Sequence, residues 1–412
     1  MIQPSFGHRH LTYCSNVHPG ETIHAHLGQI DRHLPQIRKV LGTEEPMGTG
    51  LRIASDASRE LMERSELERL SRWLRNRHLY LFTINGFPFG SFHKTRVKES
   101  VHEPDWSTRE RHDYTSRLIE ILAFLLPDGM EGSISTSPVT YKHGFHSGHA
   151  MEGVASQAAC SLADLAWKME RISIEQGKEI HLDLEPEPDG YLETADEWIR
   201  FMNEAMLRDG VDRLTNQTGA DRETCEQILR KRLRLCYDTC HMALAWEEPE
   251  SVLERLDHHG LNLGKVQISS ALAARIPDDP AGRRELRDKL LPFVEPVYLH
   301  QVVGMTSDGE KRQYRDLPDA LDYLDRCSET EWRIHFHIPV FREPGGMIGS
   351  THNHCTELLE VLANRTDGEH LEVETYTWDL LPSDLKEDLG ISIGRELQWV
   401  CEQLESVKPK QR

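Results

Sequence analysis

The sequence predicts an α/β protein built as a (β/α)8 TIM barrel, with a segment inserted before the last strands. Short strand-like runs with alternating apolar residues recur along almost the whole chain, and amphipathic helical segments separate most of them. This alternation is typical of a parallel sheet covered by helices. With 412 residues the chain can form one large barrel, and we expect a single domain over 1–412.

Strand candidates are identified by period-2 alternation between turn-forming residues. They are Leu11–Ser15, Leu51–Ala54, Leu79–Ile84, Gly132–Thr136, Glu179–Glu185, Arg234–Asp238, Lys265–Ser269, Tyr298–Val303, Arg333–Val340 and Leu371–Tyr376. Ten candidates are two more than the barrel needs. Tyr298–Val303 is the first expected to lie outside it, because a turn, SDGE, links it to Gln313–Arg315 as a β-hairpin. We therefore predict an insertion or hairpin region over 274–332.

Helices between the strands are indicated by their apolar spacing and their ends. Leu162, Leu165, Met169 and Ile172 recur at helical spacing, and Gly177 follows as a stop signal. A doubly wound open sheet is the alternative architecture, but no G-x-G-x-x-G opens the first β–α unit.

Composition excludes several classes of function. The net charge of −20 is spread along the chain, so we expect no nucleic-acid partner. The chain shows no apolar run of membrane-spanning length and no secretion signal at its start. Its eight cysteines are scattered, which favours a reduced, cytoplasmic protein. We expect a small-molecule partner, and a homodimer is left open.

Four stretches of strand-like alternation end on a residue that binds divalent metals. HLDLE ends at Glu185, LCYD at Asp238, RIHFH at His337 and LEVE at Glu374. Catalytic groups of such barrels lie at the carboxyl ends of the strands, where these side chains would converge. Mixed carboxylate and imidazole ligands suit Mn²⁺, Co²⁺, Fe²⁺ or Zn²⁺. The sequence therefore predicts a metal site formed by these four residues.

Spacing selects His337 over its neighbour His335. Neighbouring residues on the same face of a strand, such as His335 and His337, lie roughly 6.6 Å apart, so the two histidines are not expected to hold one ion. His241 adds a donor where the Asp238 strand turns into its loop. Further candidates for substrate binding lie in loops after strands: Asn16, His18, Lys142 and His143.

Several strings resemble a known family. LEPEP, D-x-x-H at Asp238–His241 and the terminal Glu374 resemble the xylose-isomerase-like TIM-barrel superfamily of sugar isomerases, epimerases and endonuclease-IV-type enzymes. Four longer strings resemble the EboE family of metabolite traffic proteins, linked to export of secondary-metabolite precursors. They are HLTYCSNVHPGE (10–21), LDLEPEPDG (182–190), CYDTCHMAL (236–244) and LEVETYTWDLLP (371–382).

The resemblance implies roles for particular residues. Glu185, Asp238 and Glu374 match metal ligands, and the two glutamates match the acid/base pair of the epimerases. His241 matches a histidine that contacts substrate or, in the endonuclease branch, a second metal. One position departs from the pattern: Gln267 stands where the superfamily usually has a metal-binding histidine. His300 or His337 would then supply the missing nitrogen. His241, Gln267 and His300 are also expected to bind substrate.

Three functions are compatible with these features. The first is a metal-dependent isomerase or epimerase of a sugar or cyclitol, in which a metal stabilises an enediolate and a glutamate pair moves the proton. The second is a metal-dependent phosphoesterase of the endonuclease IV type. The third is a protein that binds or carries a metabolite without turning it over.

Overall fold

A computed structural model describes residues 9–90, 98–144, 148–342, 346–383 and 385–407. Within these ranges the chain forms thirteen strands. They are β1 His10–Tyr13, β2 Met47–Arg52, β3 Leu79–Asn85, β4 Glu131–Thr136, β5 Glu179–Leu184, β6 Leu233–Asp238, β7 Leu263–Ile268, β8 Ser270–Arg275, β9 Val302–Thr306, β10 Lys311–Tyr314, β11 Glu329–Ile338, β12 Ile348–Ser350 and β13 His370–Val373.

Helices follow most strands. They are α1 Ile23–Leu41, α2 Ser55–Glu60, α3 Arg64–Asn76, α4 Arg109–Leu125, α5 Gly148–Gln176, α6 Ala195–Phe201, α7 Val211–Thr218, α8 Arg222–Arg232, α9 Thr239–Leu244, α10 Pro249–His258, α11 Pro280–Leu290, α12 Leu317–Tyr323, α13 His352–Leu362 and α14 Leu389–Ser406. A π-helical stretch, Met202–Gly210, joins α6 to α7, and a capping box at Thr194 and Glu197 starts α6. No helix in the described ranges is long and apolar enough to cross a membrane.

Eight parallel strands form a nearly closed barrel. Their order is β1-β13-β7-β6-β5-β4-β3-β2, and a parallel bridge between Cys14 and Gly50 links the first strand to the last. The predicted TIM barrel is thus confirmed, and the open doubly wound sheet is excluded. All eight cysteines lie in the described ranges as free thiols.

The inserted segment follows β7 and forms a second, antiparallel sheet. Its order is β10-β9-β11-β8-β12, and it has a hydrophobic core of its own that includes Trp332, Ile334 and Phe336. The β9–β10 pair is antiparallel, as the predicted hairpin requires, although β9 starts four residues later than expected. The insertion extends beyond 274–332 on both sides, since β8 and β12 belong to the same sheet. The single domain over 1–412 stays a prediction.

The assignment of Arg333–Val340 to the barrel is wrong. This segment is β11, which pairs with β8 and β9 in the inserted sheet. The alternation of apolar and polar residues is the same for any strand with one buried face, so it carries no information about the partner strand. His337 therefore reaches the barrel mouth from the insertion and not from a barrel strand.

Charged residues fill the barrel interior below its mouth. The Nζ atom of Lys265 lies 2.5 Å from Oε2 of Glu372, and both side chains are fully buried. Lys265 also donates to Oγ of Ser135 at 3.2 Å. A methyl group at Gly50 would lie 1.7 Å from Oε1 of Glu372, so the glycine provides the space for this carboxylate.

Glu396 of α14 connects the insertion to the barrel. Its Oε1 accepts hydrogen bonds from Oγ1 of Thr375 at 2.6 Å and from the backbone N–H of Val340 at 3.2 Å. The side chain is 2% exposed. Burial raises the pKa of Glu396 to about 7, above the value of about 4.3 for an exposed glutamate.

This shift predicts a pH-dependent loss of stability. An acid whose pKa is higher in the folded chain stabilises the fold while protonated, and this contribution is lost as pH rises through 7. Between pH 5 and pH 8 we expect wild type to lose about 2 kcal/mol of unfolding free energy relative to Glu396→Gln. Urea denaturation of both proteins at the two pH values measures the difference, and parallel pH profiles would refute it.

Candidate metal and substrate site

Three carboxylates meet at the mouth of the barrel. Glu185 directly follows β5, Asp238 ends β6 and Glu374 directly follows β13. All are buried, with exposed fractions of 2%, 0% and 4%. One oxygen of each lies within 4.8 Å of one oxygen of each of the others. Residues far apart in the sequence are brought together because parallel barrel strands end at one rim.

Crowding of these acids shifts their proton affinities. Burial, together with the neighbouring Glu374 and Asp238, raises the pKa of Glu185 well above its ordinary value. Burial and Asp238 also raise the pKa of Glu374. Burial opposes ionisation of Asp238 too, yet His241, His337 and a hydrogen bond from Ser269 hold its pKa below the ordinary value. Concentrated negative charge in a buried site is the environment that a bound cation relieves.

Gln267 of β7 lies at the centre of the three carboxylates. Its Nε2 donates to Oε1 of Glu185 at 3.2 Å, to Oδ2 of Asp238 at 3.4 Å and to Oε2 of Glu374 at 2.5 Å. Its Oε1 accepts from Sγ of Cys236 at 3.5 Å. The position at which the sequence departs from the superfamily pattern is therefore in direct contact with all three acids.

Helix α9 starts from the same carboxylate group. Oδ1 of Asp238 caps the helix by accepting from the backbone N–H groups of Cys240 and His241 at 2.7 and 3.1 Å. The cap fixes His241 beside the acids, and its Nδ1 donates to the carbonyl oxygen of Pro186 at 3.1 Å. In the D-x-x-H motif, the aspartate thus caps the helix that carries the histidine, and this holds the two side chains side by side.

His335 and His337 both reach the site from β11. Nδ1 of His335 donates to Oε1 of Gln301 at 2.9 Å, and Nδ1 of His337 donates to the carbonyl oxygen of Glu374 at 2.8 Å. Nε2 of His337 is buried and has no hydrogen-bond partner among the described residues. Burial lowers the pKa of His337 to about 4 and that of His335 well below its ordinary value.

The four predicted ligands do not form one group. A ring nitrogen of His337 lies within 4.8 Å of ligand atoms of Asp238 and His241, whereas Glu185 and Glu374 group with Asp238 alone. Asp238 belongs to both sets. The structure therefore places His337 beside the three carboxylates and not among them.

A pocket lies beside two of the carboxylates, Glu185 and Glu374. Its polar lining includes Asn16, Asn85, Lys98, His102, Glu185, Glu187, His241, Gln301, His335, Glu374 and Tyr376, and its apolar lining includes Phe87, Pro88, Val101, Tyr298 and Leu299. Asn16, a predicted substrate-binding residue, donates from Nδ2 to Oε1 of Glu374 at 2.6 Å. Asn85 donates to the same oxygen at 3.1 Å.

Five other predicted substrate-binding residues do not line this pocket as far as the chain is described: Gln267, whose amide contacts the three carboxylates, and His18, His300, Lys142 and His143. His18 contacts the Tyr13 hydroxyl through Nε2 at 3.0 Å. His300 uses Nδ1 on the carbonyl oxygen of His335 and Nε2 on Glu295. Lys142 pairs with Glu193 and Glu197, and His143 pairs with Asp189. The position of a residue after a strand does not determine where its side chain points. Nearby acids bind His300, Lys142 and His143, and a tyrosine binds His18.

Several pocket residues were missed from the sequence. Asn85 is the last residue of β3, just as Asp238 is the last residue of β6. The rule that functional groups lie at the carboxyl ends of barrel strands therefore predicts Asn85 as well. Glu187 lies two residues after Glu185 in the loop EPEPDG. His335 was rejected on ideal strand spacing, but the pairing register of β11 with β8 shifts between Ile334 and His337. This irregularity lets both histidines of β11 contribute to the site.

Comparison with known proteins supports the fold. A xylose-isomerase-like TIM-barrel protein from Mycobacterium smegmatis in complex with magnesium matches with a TM-score of 0.51 and 11% identity, over 98% of this chain and 99% of that chain. The IolI protein with a bound zinc atom gives 0.45 and 12%, over 97% and 99%. A putative sugar phosphate isomerase/epimerase from Anabaena variabilis gives 0.48 and 12%, over 97% and 99%. No family model and no curated protein matches the sequence.

Proposed function

We propose that this protein is a divalent-metal-dependent isomerase or epimerase of a small polyhydroxylated substrate such as a sugar or cyclitol. The observation that carries the proposal is the convergence of the buried carboxylates of Glu185, Asp238 and Glu374 at the barrel mouth, where Glu185 and Glu374 line a pocket. On the EboE resemblance of its longer strings, we place the reaction among the precursors of a secondary metabolite.

The donor set fits a divalent metal. Glu185, Asp238 and Glu374 would each supply an oxygen, and rotation of the Gln267 amide by half a turn would direct its Oε1 at the same point. His337 would have to move toward Glu185 and Glu374 to be the alternative fourth ligand, since it groups with Asp238 alone of the three acids; its buried Nε2 has no partner within the described ranges. Such a set suits Mn²⁺, Co²⁺, Fe²⁺ or Zn²⁺. The ion would supply Lewis-acid stabilisation of negative charge on substrate oxygens.

The two glutamates are placed to move a proton. They follow β5 and β13, with β6 and β7 between these strands, so they reach the pocket floor from different sides. One carboxylate removes the proton on the carbon beside a carbonyl, and the other returns a proton to the neighbouring carbon or to the opposite face. Asn16 and Asn85 orient Glu374 by donating to its Oε1.

A binding protein without turnover is the main alternative. Gln267 favours it, because one amide group already donates to all three carboxylates. A phosphoesterase is the other, and the histidines beside the carboxylates favour it because that reaction uses more than one ion.

Solvent deuterium exchange distinguishes the three functions. Metal-loaded protein is incubated in D₂O with sugars and cyclitol ketones, and the carbon-bound hydrogens are followed by NMR. An isomerase incorporates deuterium into its substrate. Binding without incorporation supports the carrier, and hydrolysis of a small phosphodiester to a monoester and an alcohol, without incorporation, supports the phosphoesterase; either result contradicts the proposal.

Gln267→Leu tests the amide as a ligand. Loss of its oxygen should weaken binding of Mn²⁺ or Zn²⁺ about 10- to 100-fold, by analogy with the loss of groups that support metal sites. Isothermal titration of metal-free protein measures the change. Gln36→Leu on α1, outside the barrel, is the control, and equal affinities of the two variants would show that Gln267 is not a ligand.

A further inference from the structure

We propose that a cleft between the inserted sheet and helices α10 and α13 binds a small zwitterion of the α-amino acid class. The cleft has a volume of about 380 Å³, within the range of about 300–1,000 Å³ that is usual for small-molecule sites. In the described part of the chain it shares no lining residue with the pocket at the barrel mouth. The proposal is therefore independent of the proposed function.

Two small residues form the floor of the cleft. Ala273 of β8 lies opposite Gly349 of β12 on one side and opposite Arg333 of β11 on the other. Residues that are directly opposite in a sheet have their side chains on the same face. Arg275 and Glu331 are opposite each other two residues further along, so they share this face. The sheet thus presents charged groups around a space that alanine and glycine leave open.

Arg333 is held in a fixed position on the sheet side of the cleft. Its Nε donates to Oε1 of Glu331 at 3.1 Å, and its Nη1 donates to the carbonyl oxygen of Ala243 at 2.6 Å. The guanidinium lies over the Trp246 ring, with Cζ 3.5 Å from the ring centroid. Nη2 has no hydrogen-bond partner among the described residues and is not enclosed. A guanidinium that is fixed in this way and open at one nitrogen is suited to bind a carboxylate.

The helix side of the cleft carries acids. Glu248 is the N-cap residue of α10, but its side chain makes no capping hydrogen bond. Asn353 and Glu357 lie four residues apart on one face of α13. Neither acid has an ion-pair partner within the described ranges, and partial burial together with the charge of Glu248 raises the pKa of Glu357. An ammonium group between the two acids would relieve this repulsion.

His354 provides an independent observation. It is 7% exposed, and its Nε2 lies 2.8 Å from the Tyr237 hydroxyl. Its Nδ1 has no hydrogen-bond partner in the described part of the chain, yet this atom is not enclosed, and the residue lines the cleft. A polar ligand in the cleft would satisfy this nitrogen. No described group of ligand atoms within 4.8 Å of one another contains His354, Glu248 or Glu357, which favours an organic ligand over a metal ion.

Opposite charges face each other across the cleft without forming an ion pair. Burial lowers the pKa of Arg333, and the acids around it act in the opposite direction: Glu331, Glu248 and Glu357. Glu331 is at ion-pair distance from Arg333, whereas the other two acids are not. Arg275 is exposed and adds a second positive group on the sheet side. An α-amino acid, with its ammonium at the helix acids and its carboxylate at Nη2 of Arg333, would bridge this gap.

Titration with amino acids tests the cleft. Each of the protein amino acids is added to the full-length, metal-free protein, and the one that raises the melting temperature most is titrated by isothermal calorimetry. Glu357→Gln and Arg275→Gln should each bind it about 10-fold more weakly or worse, the loss expected for one hydrogen bond to a charged group. Both side chains are exposed, so both variants should fold. Glu223→Gln, which changes an exposed glutamate of α8 outside the cleft, is the control and should bind as wild type does.

The same titration checks the class of ligand. The corresponding amine, which lacks the carboxylate, should bind about 10-fold more weakly than the amino acid or worse. Failure of every amino acid to bind, or equal affinities of wild type, Glu357→Gln and Arg275→Gln, would overturn the proposal. Equal affinities for the amine and the amino acid would also overturn it and indicate a site for cations. None of these results depends on deuterium exchange, so they leave the proposed function to its own test.

Discussion

Replacement of Glu374 by glutamine is expected to slow solvent deuterium exchange into the substrate about 1,000-fold or more, with the fold intact. Removal of a positioned acid or base alone costs about 10²–10⁴-fold, and the same change removes a metal ligand. Glu185→Gln should have an effect of similar size. Neither variant should unfold, because burial and neighbouring acids raise the pKa of both glutamates and thus oppose their charged forms.

The measurement combines NMR detection of exchange with thermal melting followed by circular dichroism. Glu396→Gln is the matched control, since Glu396 is a buried glutamate with a raised pKa that is hydrogen-bonded to Thr375 and Val340. The control should exchange deuterium at the wild-type rate. Exchange near the wild-type rate in both Glu185→Gln and Glu374→Gln would reject the glutamate pair as the acid and base.

Lys265→Met should destabilise the protein by about 3–5 kcal/mol, the usual cost of removing one partner of a buried ion pair. The lysine is fully buried at 2.5 Å from Glu372, and without it the carboxylate loses its ion-pair partner, the one it has among the described residues. Burial lowers the pKa of Lys265, but its contacts, that with Glu372 above all, raise it overall, so the lysine keeps its charge.

Urea denaturation of wild type and Lys265→Met measures the loss. The double variant Lys265→Met/Glu372→Gln removes both charges and should recover part of the lost free energy. A loss below about 1 kcal/mol in the single variant would mean that solvent or another cation compensates Glu372.

The barrel and its carboxylates were predictable because both depend on local patterns. Period-2 alternation identified the segments that form the barrel strands, and the strand-end rule for such barrels located Glu185, Asp238 and Glu374. The resemblance to the xylose-isomerase-like superfamily singled out Gln267 as a departure, although its contacts with the three acids depend on the folded arrangement of the strands.

The histidines that the inserted sheet supplies to the site were not predictable from such local patterns. His337 was selected as a barrel residue, yet it belongs to β11 of the antiparallel sheet, because alternation does not specify which strand is the neighbour. His335 was excluded on ideal spacing, and the register shift in β11 removes that restriction. Lys142 and His143 were assigned by loop position, but acids in and just after the next loop bind them.

Anomalous diffraction from crystals soaked with zinc tests the central claim most directly. A peak about 2.0–2.2 Å from carboxylate oxygens of Glu185, Asp238 and Glu374 is the predicted result. The Gln267 amide should be rotated so that its oxygen faces the ion, or His337 should complete the coordination. Absence of any peak in contact with these three residues, with Nε2 of Gln267 still donating to all of them, would contradict the account.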